Sequence, residues 1–357
     1  MKILASIFAR KSHLLAFPFL LVLCFAASVA AQTNEFAVAM HSFQSRQWAD
    51  AAFLFQNIET AYPGQTDALL YLSKSLVNLN RYPEADAALE KYSSTHSASA
   101  EALYLLAYVR FRENRPKDSL ELSTAAAKIQ APDADDLKIV ALDYVLFDDL
   151  NNAARYLRES LAIKPEDVES HYSLGRVLYQ QNHFDDAESE FREVLRRQPR
   201  HVKALDNLGL IAEGKNDPSQ AARAYKQAIE ADAEMLTHTE QPYLNLGILL
   251  TRLGRPEEAE PWLKKAINIR PDYAKAHLSL GKTYLAMNRF TLSQNELATA
   301  IRLQPDDSAA HYFLGRAYYR GGDKVQAAKE FSLAENLMKH QQDSAMGMGN
   351  SGVPRID

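Results

Sequence analysis

The chain has 357 residues, 47% of them hydrophobic, which is enough apolar material for a large core. Its 40 basic and 45 acidic side chains leave a formal net charge of −5, with no long run of either sign, which excludes the basic footprint of a nucleic-acid binder. A single cysteine excludes a disulfide framework, and the abundance of Ala, Leu, Glu, Lys, Gln and Arg favours helix.

The first 31 residues read as an export signal. Lys2, Arg10 and Lys11 precede an almost wholly apolar stretch from Leu14 to Ala27, and Ser28-Val29-Ala30 supplies the small residues that a signal peptidase reads. The apolar run is short beside the ~20 residues of a membrane-spanning helix. Cleavage after Ala30 or Ala31 removes the three basic residues and Cys24, leaving a more acidic, cysteine-free chain suited to an oxidising compartment. Leu21-Val22-Leu23-Cys24 loosely resembles a lipoprotein processing site, although Leu23 is bulky where a small residue is wanted. A lipid on Cys24 is thus the alternative link to a membrane. No Asn-x-Ser/Thr sequon occurs. The expected location is the periplasm or the exterior of a bacterial cell.

From residue 32 onward the chain repeats. Small residues recur at Ala51, Ala85, Ser119, Ala153, Ala187, Ala221, Ala259, Ser293 and Ala327, spaced by 34 except for 38 between Ala221 and Ala259. Leu-Gly pairs ending at Gly175, Gly209, Gly247, Gly281 and Gly315 show the same single slip. Each unit reads as two helices, A and B. In residues 168–199, His171, Leu174, Gly175 and Leu178 share one helical face. Asn182-His183 makes the turn, and Ala187, Phe191 and Val194 form a second stripe. Pro63, Pro165, Pro199, Pro271 and Pro305 stop helix B in register. Residues 32–338 hold about nine such units, with a four-residue insertion near 235–239. Residues 339–357 read as a disordered polar tail.

The bulky residue before the small one (Trp48, Tyr82, Phe184, Phe290), the Phe191 or Phe331 four positions later, the Leu-Gly pair and the closing proline together resemble the tetratricopeptide repeat. The resemblance implies an all-α fold, a right-handed superhelical solenoid of about nine helix-turn-helix repeats. The first repeats depart from the pattern, with Ala39, Ser73, Ala107 and Ala141 in place of glycine, and Ser119 and Ser293 replace the small alanine. All stay small, so close helix packing is expected to survive. In such solenoids each repeat buries its neighbours, and stability approximates a sum of nearest-neighbour terms.

Two motifs suggest chemistry and are better explained by structure. Gly209 to Asn216 nearly matches a phosphate-binding loop, but Asn216 replaces the hydroxyl residue and no strand precedes it. His171, His277 and His311 share one slot on separate repeats, in the helix A packing face, and so do not converge as metal ligands must. No nucleophile–base arrangement can be placed. No cofactor, metal or enzymatic activity is expected.

The resemblance implies that the other face of helix A lines a concave groove for a partner peptide or helix. That face carries Tyr172, Arg176 and Tyr179, and again Tyr312, Arg316 and Tyr319, with Tyr104, Tyr108 and Phe111 in the same slots earlier. Lys203, Arg252, Lys275, Lys282 and Arg320 add positive charge. Tyr and Arg are enriched at binding hot spots, so the expected partner segment carries carboxylates. Asn207 and Asn245 resemble the asparagine ladder with which some members hold a peptide backbone. The expected function is an exported protein-interaction scaffold or adaptor. The alternative is a structural or lipid-anchored envelope component, or a non-catalytic subunit of an envelope enzyme complex.

Overall fold

A computed structural model of the chain describes residues 33–64, 67–96 and 99–348. The segment read as an export signal, including Cys24, lies outside the described residues. The described residues contain helices and no strand, and none of these helices is long and apolar enough to cross a membrane. The chain divides into two compact units, residues 1–165 and 166–357.

The first unit contains α1 (33–44), α2 (Trp48–Ala61), α3 (Ala68–Asn78), α4 (Tyr82–Thr95), α5 (Ala100–Arg112), α6 (Pro116–Ala127), α7 (Ala134–Leu146) and α8 (Leu150–Ile163). The second contains α9 (Val168–Gln180), α10 (Phe184–Arg197), α11 (Val202–Gly214), α12 (Pro218–Asp232), α13 (Gln241–Arg252), α14 (Pro256–Ile269), α15 (Ala274–Ala286), α16 (Phe290–Leu303), α17 (Ser308–Gly321) and α18 (Lys324–Met348). Odd-numbered helices are the A helices and even-numbered ones the B helices. Within each unit, from α2 onward, each helix packs on the next, and the A helices from α3 onward also touch the following A helix. The last helix continues through residues 339–348, the first part of the segment expected to be a tail.

The repeat has a backbone signature that the side-chain pattern only partly reveals. Each A–B turn places one residue in the left-handed region: Arg46, Asn80, Asn114, Asp148, Asn182, Asn216, Gly254, Asn288 and Gly322, with φ from 58° to 97°. Glycine has no Cβ to clash there, and the short polar side chains of Asn and Asp tolerate it. Arg46 has neither advantage. The opposite ends are closed by side-chain caps. Asp149, Asp167, Asp217 and Asp307 accept backbone N–H bonds at the starts of α8, α9, α12 and α17, each contributing ~1 kcal/mol.

The periodic small residues are the tightest positions in the structure. Ala51, Ala85, Ser119, Ala153, Ala187, Ala221, Ala259, Ser293 and Ala327 are all at most 1% exposed. The glycine of each Leu-Gly pair makes room for a large side chain of helix B. A Cβ built on Gly209 would lie 2.3 Å from the fully buried Tyr225 ring, and one on Gly175 would lie 3.0 Å from Phe191. A side chain of helix B, a ring at Gly175, Gly209 and Gly315 and a leucine at Gly247 and Gly281, therefore fills the space, rather than a neighbouring backbone.

Candidate partner-binding face

The three histidines of the shared slot hold the repeats together. His171, His277 and His311 are buried, and their Nδ1 atoms lie 2.6–2.7 Å from Glu190, Glu296 and Glu330, each 19 residues later on the following B helix. The Nε2 atoms of His277 and His311 face the carbonyls of Pro271 and Pro305 at 3.0 and 3.2 Å. Each of these contacts ties a helix A to its helix B, and in the latter two also to the preceding loop. Among the described residues no group of His, Cys, Asp and Glu could hold a metal ion. The phosphate-loop look-alike is the helix α11 itself, and its Lys215 pairs with Asp185 and Glu188 at 2.6 Å each.

The outer face of the A helices in the second unit carries two patches. The first is centred on α9 and α11. The half-buried Tyr172 ring lies 5.8 Å from Phe191 and 5.2 Å from His201, and burial raises its phenol pKa. The Asn207 amide donates to the Lys203 carbonyl at 2.7 Å and points at the Tyr172 hydroxyl from 3.5 Å. Arg176 is exposed beside them. Tyr172, Arg176, Lys203, Asp206, Asn207 and Gln241 border a cavity of about 320 Å³. Tyr179, the third residue of this helix face, packs its ring 5.8 Å from Phe184.

The second patch lies on α15 and α17. The ammonium of Lys282 sits 4.7 Å from the centre of the Phe313 ring, and the Arg316 guanidinium lies 5.6 Å from the same ring and 5.9 Å from Tyr312. Tyr312 and Tyr319 remain 44% and 59% exposed, so these rings have contact area still to cover.

Asn245 differs from Asn207. It is buried, and its Nδ2 donates to both oxygens of Asp206, at 3.0 and 3.1 Å, while Gln241 donates to its Oδ1 at 3.2 Å. Its amide is thus committed within the protein, whereas Asn207 borders the cavity.

Two acidic residues on this face were not singled out from the sequence. Asp206 occupies the slot of Tyr172 and Tyr312 one and three repeats away, and burial pushes its carboxyl up to about 7, with the Asn245 bonds working against that rise. Glu213 accepts from Tyr225 at 2.5 Å and pairs with Arg252. Arg252 is therefore neutralised, and Arg320 is turned onto Asn288 and the Leu285 carbonyl. Among the described residues Arg176, Lys203, Lys275, Lys282 and Arg316 make no ion pair, so five cations of this face stay open to a partner. Comparing slot occupants across repeats would have found Asp206, because an acid there interrupts a Tyr/Leu series.

The matching face of the first unit has a different chemistry. Tyr104 donates to the Gln130 carbonyl at 2.9 Å, and Arg112 donates to the Tyr108 hydroxyl at 2.7 Å. Tyr104 and Tyr108 border a cavity of about 760 Å³ together with Glu101, Asp133, Asp135 and Asp136. Its two lysines are already paired, Lys74 with Glu101 and Lys138 with Asp135. A basic face is thus a property of the second unit.

Profiles of the tetratricopeptide repeat match residues 42–107, 141–199, 172–235, 247–288 and 278–340, which together span more than half of the chain. Bovine BBSome complex member BBS4 is 28% identical over 195 residues, covering 54% of this chain and 36% of that protein. Type IV pilus assembly protein PilF of Pseudomonas aeruginosa is 24% identical, covering 40% of this chain and 55% of that one. The chain spans about a third of the length of the bovine relative. A solved tetratricopeptide repeat protein from Parabacteroides merdae superposes with a TM-score of 0.57 at 16% identity, over 70% of this chain and 98% of that one, and so shares the fold. With the nine left-handed turns and the buried small slots, these matches identify the chain as a member of the tetratricopeptide repeat family.

Proposed function

We propose that this protein is an exported, non-catalytic adaptor that holds an acidic segment of a partner protein on the helix A face of its second unit. The observation that carries this reading is the set of unpaired cations, Arg176, Lys203, Lys275, Lys282 and Arg316, on α9, α11, α15 and α17, with part-exposed tyrosines beside them on α9 and α17. An arginine or lysine already paired within the protein gains little from a partner carboxylate, whereas an unpaired one gains a charge-assisted bond. Exposed tyrosines add amphipathic contact area at low entropic cost. Export rests on the basic, apolar and small-residue order of the first 31 residues, and the periplasm is the compartment that this order fits.

The test is affinity capture from envelope extract, with wild type beside Arg176→Glu/Arg316→Glu. Arg176 is exposed and Arg316 lies against part-exposed rings, so the variant should keep its helical signal and melting temperature. A partner held by wild type and lost by the folded variant supports the reading, and the loss should deepen at low salt, where exposed charges are least screened. A partner held equally by both moves the site off this face.

A further inference from the structure

The four extra residues between α12 and α13 build a second cavity that adjoins the groove. Its volume is about 570 Å³, within the ~300–1,000 Å³ common for ligand sites, and its walls include Pro199, His201, Val202, Met235, Thr237 and His238. The insertion is held open from below. Asp232 is 1% exposed and accepts from the Thr239 backbone at 2.9 Å and from the Tyr243 hydroxyl at 3.1 Å, with His238 Nδ1 also 3.1 Å away. One buried carboxylate thus ties down the end of the insertion and leaves Met235 and Leu236 outside. Leu236 is fully exposed and Met235 lies on the cavity wall.

This rim cavity and the smaller groove cavity share Val202, Lys203 and Thr239 as lining residues. The shared wall therefore carries an unpaired lysine, with the unpaired Arg176 at the groove side. A chain lying along the groove can place a carboxylate on Arg176 or Lys203 and send an adjacent side chain over the wall. The apolar atoms of Pro199, Val202 and Met235 suit a hydrophobic side chain there.

We propose that the insertion forms an anchor pocket for one large apolar side chain, Leu or Phe, of an otherwise acidic partner segment. This proposal rests on the basic-face reading given above and adds the specificity that charge alone cannot supply. A field of spaced cations selects acidic segments as a class, whereas a single pocket next to them selects register and sequence.

The probe is a set of fluorescein-labelled 12-residue peptides rich in Glu and Asp, with Phe, Leu or Ala at the centre. They are titrated by anisotropy into the full chain and into Thr237→Trp, which places an indole in the pocket from an exposed position. The Phe and Leu peptides should bind at least tenfold tighter than the Ala peptide. In Thr237→Trp that advantage should vanish while the shared acidic affinity remains, and Arg176→Glu/Lys203→Glu should lose both. The methyl resonance of Met235, assigned with Met235→Leu, should shift with the Phe peptide and stay with the Ala peptide. Equal binding of the three peptides, or a preference that survives Thr237→Trp, overturns the pocket and leaves the basic face standing. Failure of every acidic peptide to bind overturns the basic face and the pocket together.

Discussion

The two units use one repeat but fill its core slots differently. In the second unit, Val177 and Leu178 on α9 are at most 2% exposed and wholly apolar. The equivalent positions of the first unit, one and two repeats earlier, are Asp143 on α7 and Arg110 on α5. Asp143 is completely buried, and burial raises its carboxyl to about 7, with Ser119 nearby partly offsetting the rise. Among the described residues no hydrogen bond of good geometry reaches either oxygen of Asp143 or the Ser119 hydroxyl, although Ser119 lies near enough to ease the carboxyl. Ser293, which fills the Ser119 slot in the second unit, instead donates to the Gly281 carbonyl at 2.8 Å. Arg110 is buried between Asp86, at 2.8 Å, and Glu90. A repeat solenoid tolerates such exchanges because each repeat depends mainly on its neighbours, so a costly polar group weakens one interface and leaves the others intact.

The largest effect should come from breaking the buried ion cluster. Arg110→Leu copies the second unit's residue but strands Asp86, and should destabilise the first unit by roughly 3–5 kcal/mol. Arg110→Leu/Asp86→Ala should recover most of that loss. Hydrogen exchange of α4 to α6 amides measures both, and an Arg110→Leu variant as stable as wild type would show that the pair contributes nothing there.

Next comes Asp143→Val, which also copies the second unit and should stabilise the first by roughly 1–3 kcal/mol above pH 7, the cost of a buried polar group without partners. Its sign with pH follows from the raised value. A folded carboxyl titrating near 7, against an ordinary value of 3.8, binds its proton more tightly in the native state, so stability falls as pH rises from about 4 to 7. The gain from Asp143→Val should therefore be smallest near pH 4 and full above pH 7. Denaturant melts of both proteins across this range test it, and a gain that does not change with pH would remove Asp143 as the cause.

The smallest effect concerns the turns. Among the described residues Arg46 is the only left-handed turn residue that is not Asn, Asp or Gly. Arg46→Gly should stabilise the first repeat by up to about 1 kcal/mol, because relief of the left-handed strain at φ 58° exceeds the chain freedom that glycine adds. The same exchange at Asn182 should give less, because Asn already tolerates this conformation. Equal gains at the two sites would contradict the strain argument.

Much of this molecule was readable from the chain alone. The 34-residue spacing of small residues located every helix pair, because a slot that must be empty of side chain cannot drift without a clash. The single slip to 38 falls across the stretch between α12 and α13. His171, His277 and His311 were correctly assigned to packing, since identical slots on separate repeats keep side chains apart. What the spacing could not reveal is which polar groups neutralise one another. Arg176 and Arg252 look alike in sequence, yet Glu213 takes up Arg252 and leaves Arg176 open. Asn207 and Asn245 occupy one slot, yet only Asn245 meets a buried carboxylate. Asp232 and the residues that seal the rim cavity lie up to eleven positions apart and meet only when α12 and α13 pack. Periodicity acts along the chain and sets where helices begin, turn and touch. Charge pairing and cavity walls act across helices over a few ångströms, and only the packed tertiary structure decides them.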